Sequence, residues 1–305
     1  MNKNSSTWHA GGKLLLSGEY FVLHGAKALA LPLKLGQNLS VVEGTDSGIL
    51  HWKALYKEEV WFECEMSPAD FTVIKSSDPE KASTLCLVFK TIREMNPEFH
   101  PQAGTDFETT LDADPEWGFG SSSTLISLLS QWAEVDPFQL NETLFGGSGF
   151  DIACAMANGP ILYTKGMPAQ PIRLSYPFAK QLLLIYSGKK KNTLPEVSSF
   201  LQNSPPQKPL IEKISALSDQ FALCQDQQTF DKLIGQHEDM VGQLLGQQPV
   251  KEKLFPDFQG QVKSLGAWGG DYYLASCAAS VRESKKYFEN KGLSVIFRWT
   301  ELIKT

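Results

Sequence analysis

The hexapeptide Gly118-Phe119-Gly120-Ser121-Ser122-Ser123, followed at once by Leu125, Leu128, Leu129 and Trp132 at i, i+3, i+4 and i+7, constrains this chain more than any other stretch. The apolar spacing predicts an amphipathic helix that begins at the serines. Glycines let the backbone curl close to a ligand, and the unpaired first N–H groups of the helix point at one spot, where its dipole favours an anion. The segment therefore reads as a phosphate cradle. It is not a Walker A loop, which needs Gly-Lys-Ser/Thr, and it lacks the third glycine of a dinucleotide fingerprint. Taken alone, a serine-rich helix cap is an equally good reading.

The rest of the chain reads as a mixed α/β protein. Short apolar or alternating runs predict strands at 13–16, 28–33, 39–42, 60–65, 106–111 and 182–186, with a closing strand at 293–299. Helical patterns occupy 83–95 and 230–245, and 272–281 suits either a strand or a helix. At about 100–200 residues per domain, 305 residues predict two domains. Pro160, Pro168, Pro171 and Pro177 interrupt any long element, which places the expected boundary between a nucleotide-side domain, 1–175, and a second domain, 176–305.

Composition removes several function classes. Hydrophobic residues at 42% and charged residues at 20% exclude a mostly disordered chain. The formal net charge is −6 and the only arginines are Arg93, Arg173, Arg282 and Arg298, a poor supply of groups for reading nucleic acid. Five scattered cysteines and five scattered histidines show neither a C-x-x-C pair nor zinc spacing, which suits a reducing cytosol. No apolar run approaches the roughly 20 residues of a membrane helix, and MNKNSSTWHA lacks the pattern of a signal peptide, so the expectation is a cytoplasmic protein without membrane partners.

Three further segments sharpen the reading of the cradle. They are Gly12-Lys13-Leu14-Leu15-Leu16-Ser17-Gly18-Glu19-Tyr20, Gly146-Gly147-Ser148-Gly149-Phe150-Asp151, and Lys263-Ser264-Leu265-Gly266-Ala267-Trp268-Gly269-Gly270-Asp271. In this order the four segments resemble the GHMP kinases, and mevalonate and phosphomevalonate kinases most, from Gly12 to about Ala275. The resemblance implies an N-terminal domain like ribosomal protein S5 domain 2 and a ferredoxin-like C-terminal domain. It also implies ATP-dependent phosphoryl transfer to a small-molecule acceptor resembling mevalonate or phosphomevalonate.

Carried over residue by residue, the resemblance makes Asp151 and Lys13 the catalytic pair. It makes Gly118, Phe119, Gly120, Ser121, Ser122 and Ser123, with Gly266, Ala267, Gly269 and Gly270, the nucleotide-binding residues. Glu19, Ser148, Gly149 and His237 fall on the acceptor side. The Ser122 hydroxyl, and Glu142 by spacing, are the candidates for Mg²⁺. The chain departs from the family where Trp268 replaces a glycine of the third segment, which sets an indole where backbone normally approaches phosphates.

Plainer readings stand beside these assignments. His237 lies on an apolar helix face and suits a core histidine, or a neutral imidazole that hydrogen-bonds an acceptor hydroxyl. Glu19 and Tyr20 suit turn and packing roles as well as ligand contact, and Asp271 suits a helix cap. Lys189, Lys190 and Lys191 suit a solvated turn or the attraction of an anionic acceptor. Two alternative functions remain at this stage: a diphosphomevalonate decarboxylase-like enzyme, and a GHMP-fold ligand-binding or regulatory protein without catalysis. Beyond the acceptor, the only partner allowed for is a second copy of the chain in a homodimer.

Overall fold

Two long strands, Ser5–Ser17 (β1) and Ala28–Val42 (β2), pair with each other near the start of the chain. The sequence predicts two strands, 28–33 and 39–42, where the structure has the single strand β2 running through Gly36. Gly36 serves close approach: a Cβ there would lie 2.1 Å from the Ala10 carbonyl oxygen. In the computed structural model, residues 5–44, 47–188, 205–266 and 271–305 are described. Lys189, Lys190, Lys191, Ala267, Trp268, Gly269 and Gly270 lie outside the described residues.

Packing divides the chain into two interleaved units, not two consecutive halves. One comprises Met1–Gly12, Leu35–Pro115 and Phe119–Met156, and the other Lys13–Lys34, Glu116–Gly118 and Ala157–Thr305. Strands β1 and β2 each pass from one unit into the other.

In the first unit, Leu50–Tyr56 (β3), Glu59–Met66 (β4), Val73–Ser76 (β5) and Thr105–Leu111 (β6) extend β2 in the order β5-β4-β3-β6-β2. Strands β3 and β6 are parallel, connected through the helix Pro79–Met95 (α1), and the other pairings in this order are antiparallel. Helix α1 starts four residues before the expected 83. The Asp78 carboxylate accepts from Glu80 and Lys81 N–H with Pro79 next in line, a start signal separate from the apolar stripe. Ser121–Ala133 (α2), Pro137–Leu144 (α3) and Phe150–Ala155 (α4) complete the unit. Its core includes Trp52 stacked on Phe107 at 5.5 Å and Trp132 edge-on to Phe107 at 4.9 Å, pairs worth about 0.5–1.5 kcal/mol each beyond area burial. The buried Thr124 hydroxyl donates to Gln37 Oε1 at 2.7 Å, which pins the start of α2 to β2.

In the second unit, Ile161–Tyr163 (β7) pairs antiparallel with Ala28–Ala30 of β2, and Gln170–Pro171 (β8) pairs with β7. A four-stranded antiparallel sheet follows, made of Leu182–Tyr186 (β9), Gly260–Leu265 (β10), Tyr272–Cys277 (β11) and Ile296–Arg298 (β12) in the order β10-β11-β9-β12. The helices are Lys208–Leu223 (α5), Gln227–Leu245 (α6), Val250–Leu254 (α7), Val281–Asn290 (α8) and Trp299–Leu302 (α9). Helix α6 buries Phe230, Leu233, Ile234, His237 and Val241, the face its spacing predicts. The expected α/β class, with one mixed sheet and a second sheet, is what the structure has. No helix among the described residues is long and apolar enough to cross a membrane.

Candidate functional site

The cradle predicted from the sequence is built as a glycine turn feeding a bare helix end. Gly118 and Gly120 take left-handed φ of 70° and 93°, values that side-chain-bearing residues adopt at a cost. Gly120 occupies the cap position of α2, so no side chain there accepts from the first turn. The Ser123 hydroxyl is turned inward and donates to the Gly120 carbonyl at 2.9 Å, so Ser123 offers its backbone and not its side chain. Ser122 is exposed. Phe119 is buried and lines a small cavity with Gly36, Leu111, Ala113, Ser121 and Thr124. Around Gly118 there is little room: a Cβ would lie 2.9 Å from Asp271 Oδ2.

The second glycine segment makes a similar turn. Gly146, Gly147 and Gly149 all have left-handed φ, and Gly149 caps α4, whose first turn carries the half-buried Asp151. Ser148 is buried, and its hydroxyl accepts from Phe150 N–H at 3.4 Å. Asn141, which the sequence reading passed over for its neighbour Glu142, clamps this turn: its amide donates to Gly146 O at 2.9 Å, and Gly146 N–H donates back to Asn141 O at 3.0 Å. Glu142 itself is exposed on α3. Among the described residues no group of three or more His, Cys, Asp or Glu could hold a metal ion by itself.

Lys13 is half-buried on β1, and the corner that follows that strand is locked from behind. Gly18 has φ 95° with Ala28 Cβ only 2.7 Å from where its own Cβ would be, and Tyr20 has φ 63°. The Ser17 and Ser218 hydroxyls lie 2.7 Å apart, and Ser218 Oγ lies 2.7 Å from Lys27 O. Glu19 is 4% exposed; its Oε1 accepts from Lys263 Nζ at 2.5 Å, and its Oε2 is 3.0 Å from His237 Nε2. His237 Nε2 also lies 3.1 Å from Gly18 N–H. One nitrogen cannot accept from Gly18 and donate to Glu19 at once, so the proton sits on Nδ1 in the first arrangement and on Nε2 in the second.

The electrostatics of this cluster follow from its inventory. Burial alone would raise the Glu19 carboxyl, but Lys263 and His237 beside it outweigh that effect and bring it to about 2. Burial, reinforced by Lys263, lowers His237, which keeps the imidazole neutral despite Glu19. Glu238, next on α6, accepts from Ser264 N–H at 3.2 Å and Val250 N–H at 3.4 Å; burial raises it to about 7, with Lys263 at 3.9 Å pulling the other way. Glu19 and His237, expected on the acceptor side, thus turn their polar atoms to each other and to the interior. Lys263 and Glu238 were missed. The available signal was a lysine inside an otherwise buried strand and an acid beside an apolar-face histidine.

No family model matches this sequence, and no curated protein matches it. Solved structures do. The mevalonate kinase of Methanococcus jannaschii matches with a TM-score of 0.71 at 16% identity, covering 99% of this chain and 98% of that one. A Streptococcus pneumoniae phosphomevalonate kinase in complex with phosphomevalonate and AMPPNP matches with a TM-score of 0.65 at 16% identity, covering 97% and 99%. Lactococcus lactis galactokinase complexed with galactose matches with a TM-score of 0.66 at 11% identity, covering 99% and 93%. The chain therefore has the GHMP kinase fold over nearly its whole length.

Proposed function

We propose that this chain is an ATP-dependent small-molecule kinase that transfers the γ-phosphoryl group to a mevalonate- or phosphomevalonate-like acceptor. The observation that carries the reading is the left-handed turn at Gly118 and Gly120 opening onto the uncapped start of α2, in the segment whose sequence resembles the family's phosphate loop. Glycines and first-turn N–H donors fit phosphate oxygens, because the cradle provides backbone donors and has no Cβ at Gly118 or Gly120.

Phosphoryl transfer asks a protein mainly for alignment and for positive charge where negative charge gathers. In this reading the backbone of 118–123 holds the nucleotide phosphates, and Lys13 neutralises the group in flight. Asp151 orients the acceptor hydroxyl and takes its proton. Ser122, with Glu142 as the candidate carboxylate, would hold a Mg²⁺ ion, which would offset negative charge on the nucleotide, since that ion is commonly bound by one or two protein groups plus the substrate's phosphates. Ser148 and Gly149 shape the acceptor side ahead of Asp151. Gly266, Ala267, Gly269 and Gly270 are assigned to the nucleotide by the resemblance of their segment alone. The likeness to a phosphomevalonate kinase in complex with phosphomevalonate and AMPPNP supports ATP and a small anionic or hydroxylated acceptor.

One observation favours a second reading. The Asp271 carboxylate packs against Gly118, and an acid beside an anion cradle repels phosphate unless a cation lies between them. A GHMP-fold binding protein without turnover would tolerate that arrangement. Calorimetry with Mg-ATP, followed by assays with mevalonate, phosphomevalonate, galactose and homoserine, separates the two readings. Binding with turnover of one acceptor supports the kinase. No binding at millimolar nucleotide and no turnover overturns it.

A further inference from the structure

Lys263 is 1% exposed on β10, and its ammonium faces two carboxylates at unequal distances: Glu19 Oε1 at 2.5 Å and Glu238 Oε1 at 3.9 Å. Glu238 already receives two backbone N–H donors, so Glu19 is the partner that depends on the lysine. Lys263 Nζ also donates to Ser264 O at 2.8 Å, which fixes the ammonium to its own strand. A buried ion pair is seldom more favourable than an apolar pair of the same shape, because both charges must leave water. What the charge adds here is direction, a short contact between one atom of β10 and one atom of the Ser17–Tyr20 corner. That corner needs an external hold, since Gly18 and Tyr20 both sit at positive φ and a residue such as Tyr20 stays there only when its surroundings impose it.

We propose that Lys263 is a positioning residue, whose buried ammonium holds the Glu19 carboxylate and thereby fixes the Gly18–Tyr20 corner at the end of the strand that carries Lys13. The contact stands on geometry alone; its consequence for turnover rests on the phosphotransfer reading above. His237 supports the same corner as a neutral group beside Gly18 N–H, and Ser17 with Ser218 supports it from α5. Lys263 is the member that joins it to β10, the strand leading into Gly266.

Lys263→Met alone strands a buried carboxylate and endangers folding, so the test uses Glu19→Gln/Lys263→Met, which removes both charges and keeps similar volumes. The double variant is expected to unfold cooperatively. Hydrogen–deuterium exchange across residues 14–26 should quicken roughly ten-fold while α6 keeps wild-type protection. With the acceptor identified by the panel, kcat should fall about 100-fold and KM for Mg-ATP stay within about two-fold, as for a misplaced rather than a missing group. Unchanged exchange at the corner overturns the proposal, and so does unchanged kcat in an active protein. If the wild-type protein transfers no phosphoryl group, the kinase reading fails by itself. The exchange experiment then decides the positioning role: faster exchange at the corner supports it and unchanged exchange overturns it.

Discussion

Lys263 Nζ and Glu19 Oε1 lie 2.5 Å apart, although 244 positions separate them in the chain. Both side chains are shut away from water, so the pair differs from surface bridges, whose loss is often undetectable. Removing one partner leaves a lone buried charge. Lys263→Met is expected to destabilise the protein by about 3–5 kcal/mol, measured as a lower urea midpoint at unchanged slope. Adding Glu19→Gln to that variant should recover most of the loss. A single variant within about 1 kcal/mol of wild type would mean that the pair is solvated in solution.

The same cluster sets a pH dependence with two opposite limbs. Glu238 is raised from 4.5 to about 7, mainly by burial, against the weaker pull of Lys263 and with Glu19 adding repulsion. Between those values the folded protein holds a proton that the unfolded chain has lost, so stability falls as pH rises from about 4.5 to about 7. Glu19 is lowered from 4.5 to about 2, so its contribution is complete above 4.5 and is lost as pH falls toward 2. The two carboxyls by themselves are most favourable near pH 4.5, each limb bounded by about 1.4 kcal/mol per pH unit, while His237, lowered from 6.5 mainly by burial, adds stability as pH rises toward 6.5 and so opposes the Glu238 limb there. Urea titrations at several pH values should show the upper limb vanish in Glu238→Gln while the acid limb remains. An unchanged upper limb in that variant would assign the titration to another group.

The sequence displays local signals well and distant partnerships poorly. Strand β9 is found at the predicted 182–186, because a short, fully apolar run between turns can do little else. Helix α2 starts at Ser121, where a glycine pair and an apolar stripe agree. The sequence reading does not include strand β3 or helix α5: β3 alternates buried Leu50, Trp52 and Ala54 with half-buried His51 and Lys53, a strand signal that was available, and α5 follows a proline pair that masks its beginning. The four glycine-rich segments were legible because each needs glycine for local backbone reasons. Lys263 and Glu238 were not, because what makes a buried charge tolerable is a partner that comes from elsewhere in the chain.

Gly118→Ala separates backbone conformation from crowding in the cradle. A Cβ at φ 70° is strained by about 1–2 kcal/mol, and it would also meet Asp271 Oδ2 at 2.9 Å, an atom at the end of a side chain that can rotate. Adding Asp271→Ala should relieve the contact and leave the strain. Calorimetry is expected to show about ten-fold weaker Mg-ATP binding in Gly118→Ala, with only partial recovery in the double variant. Full recovery would place the whole effect in the Asp271 contact.

Asp151→Asn tests the chemistry itself. The substitution keeps the size and hydrogen-bonding reach of the side chain in the first turn of α4 but removes its ability to take a proton. If the acceptor is an alcohol, proton removal is part of the transfer step, and loss of a general base typically slows such steps by about 10²–10⁴-fold. Nucleotide affinity should change by no more than about two-fold, because in this reading the phosphates are held by the 118–123 backbone and Asp151 meets the acceptor. The split between kcat and nucleotide Kd is the measurement. A phosphate-monoester acceptor is already largely ionised near pH 7, so a loss below about ten-fold with phosphomevalonate, beside a full loss with an alcohol, would assign Asp151 to orientation and the natural acceptor to the phosphorylated class. Equal loss of binding and turnover would instead make Asp151 a structural residue of α4 and remove it from the reaction.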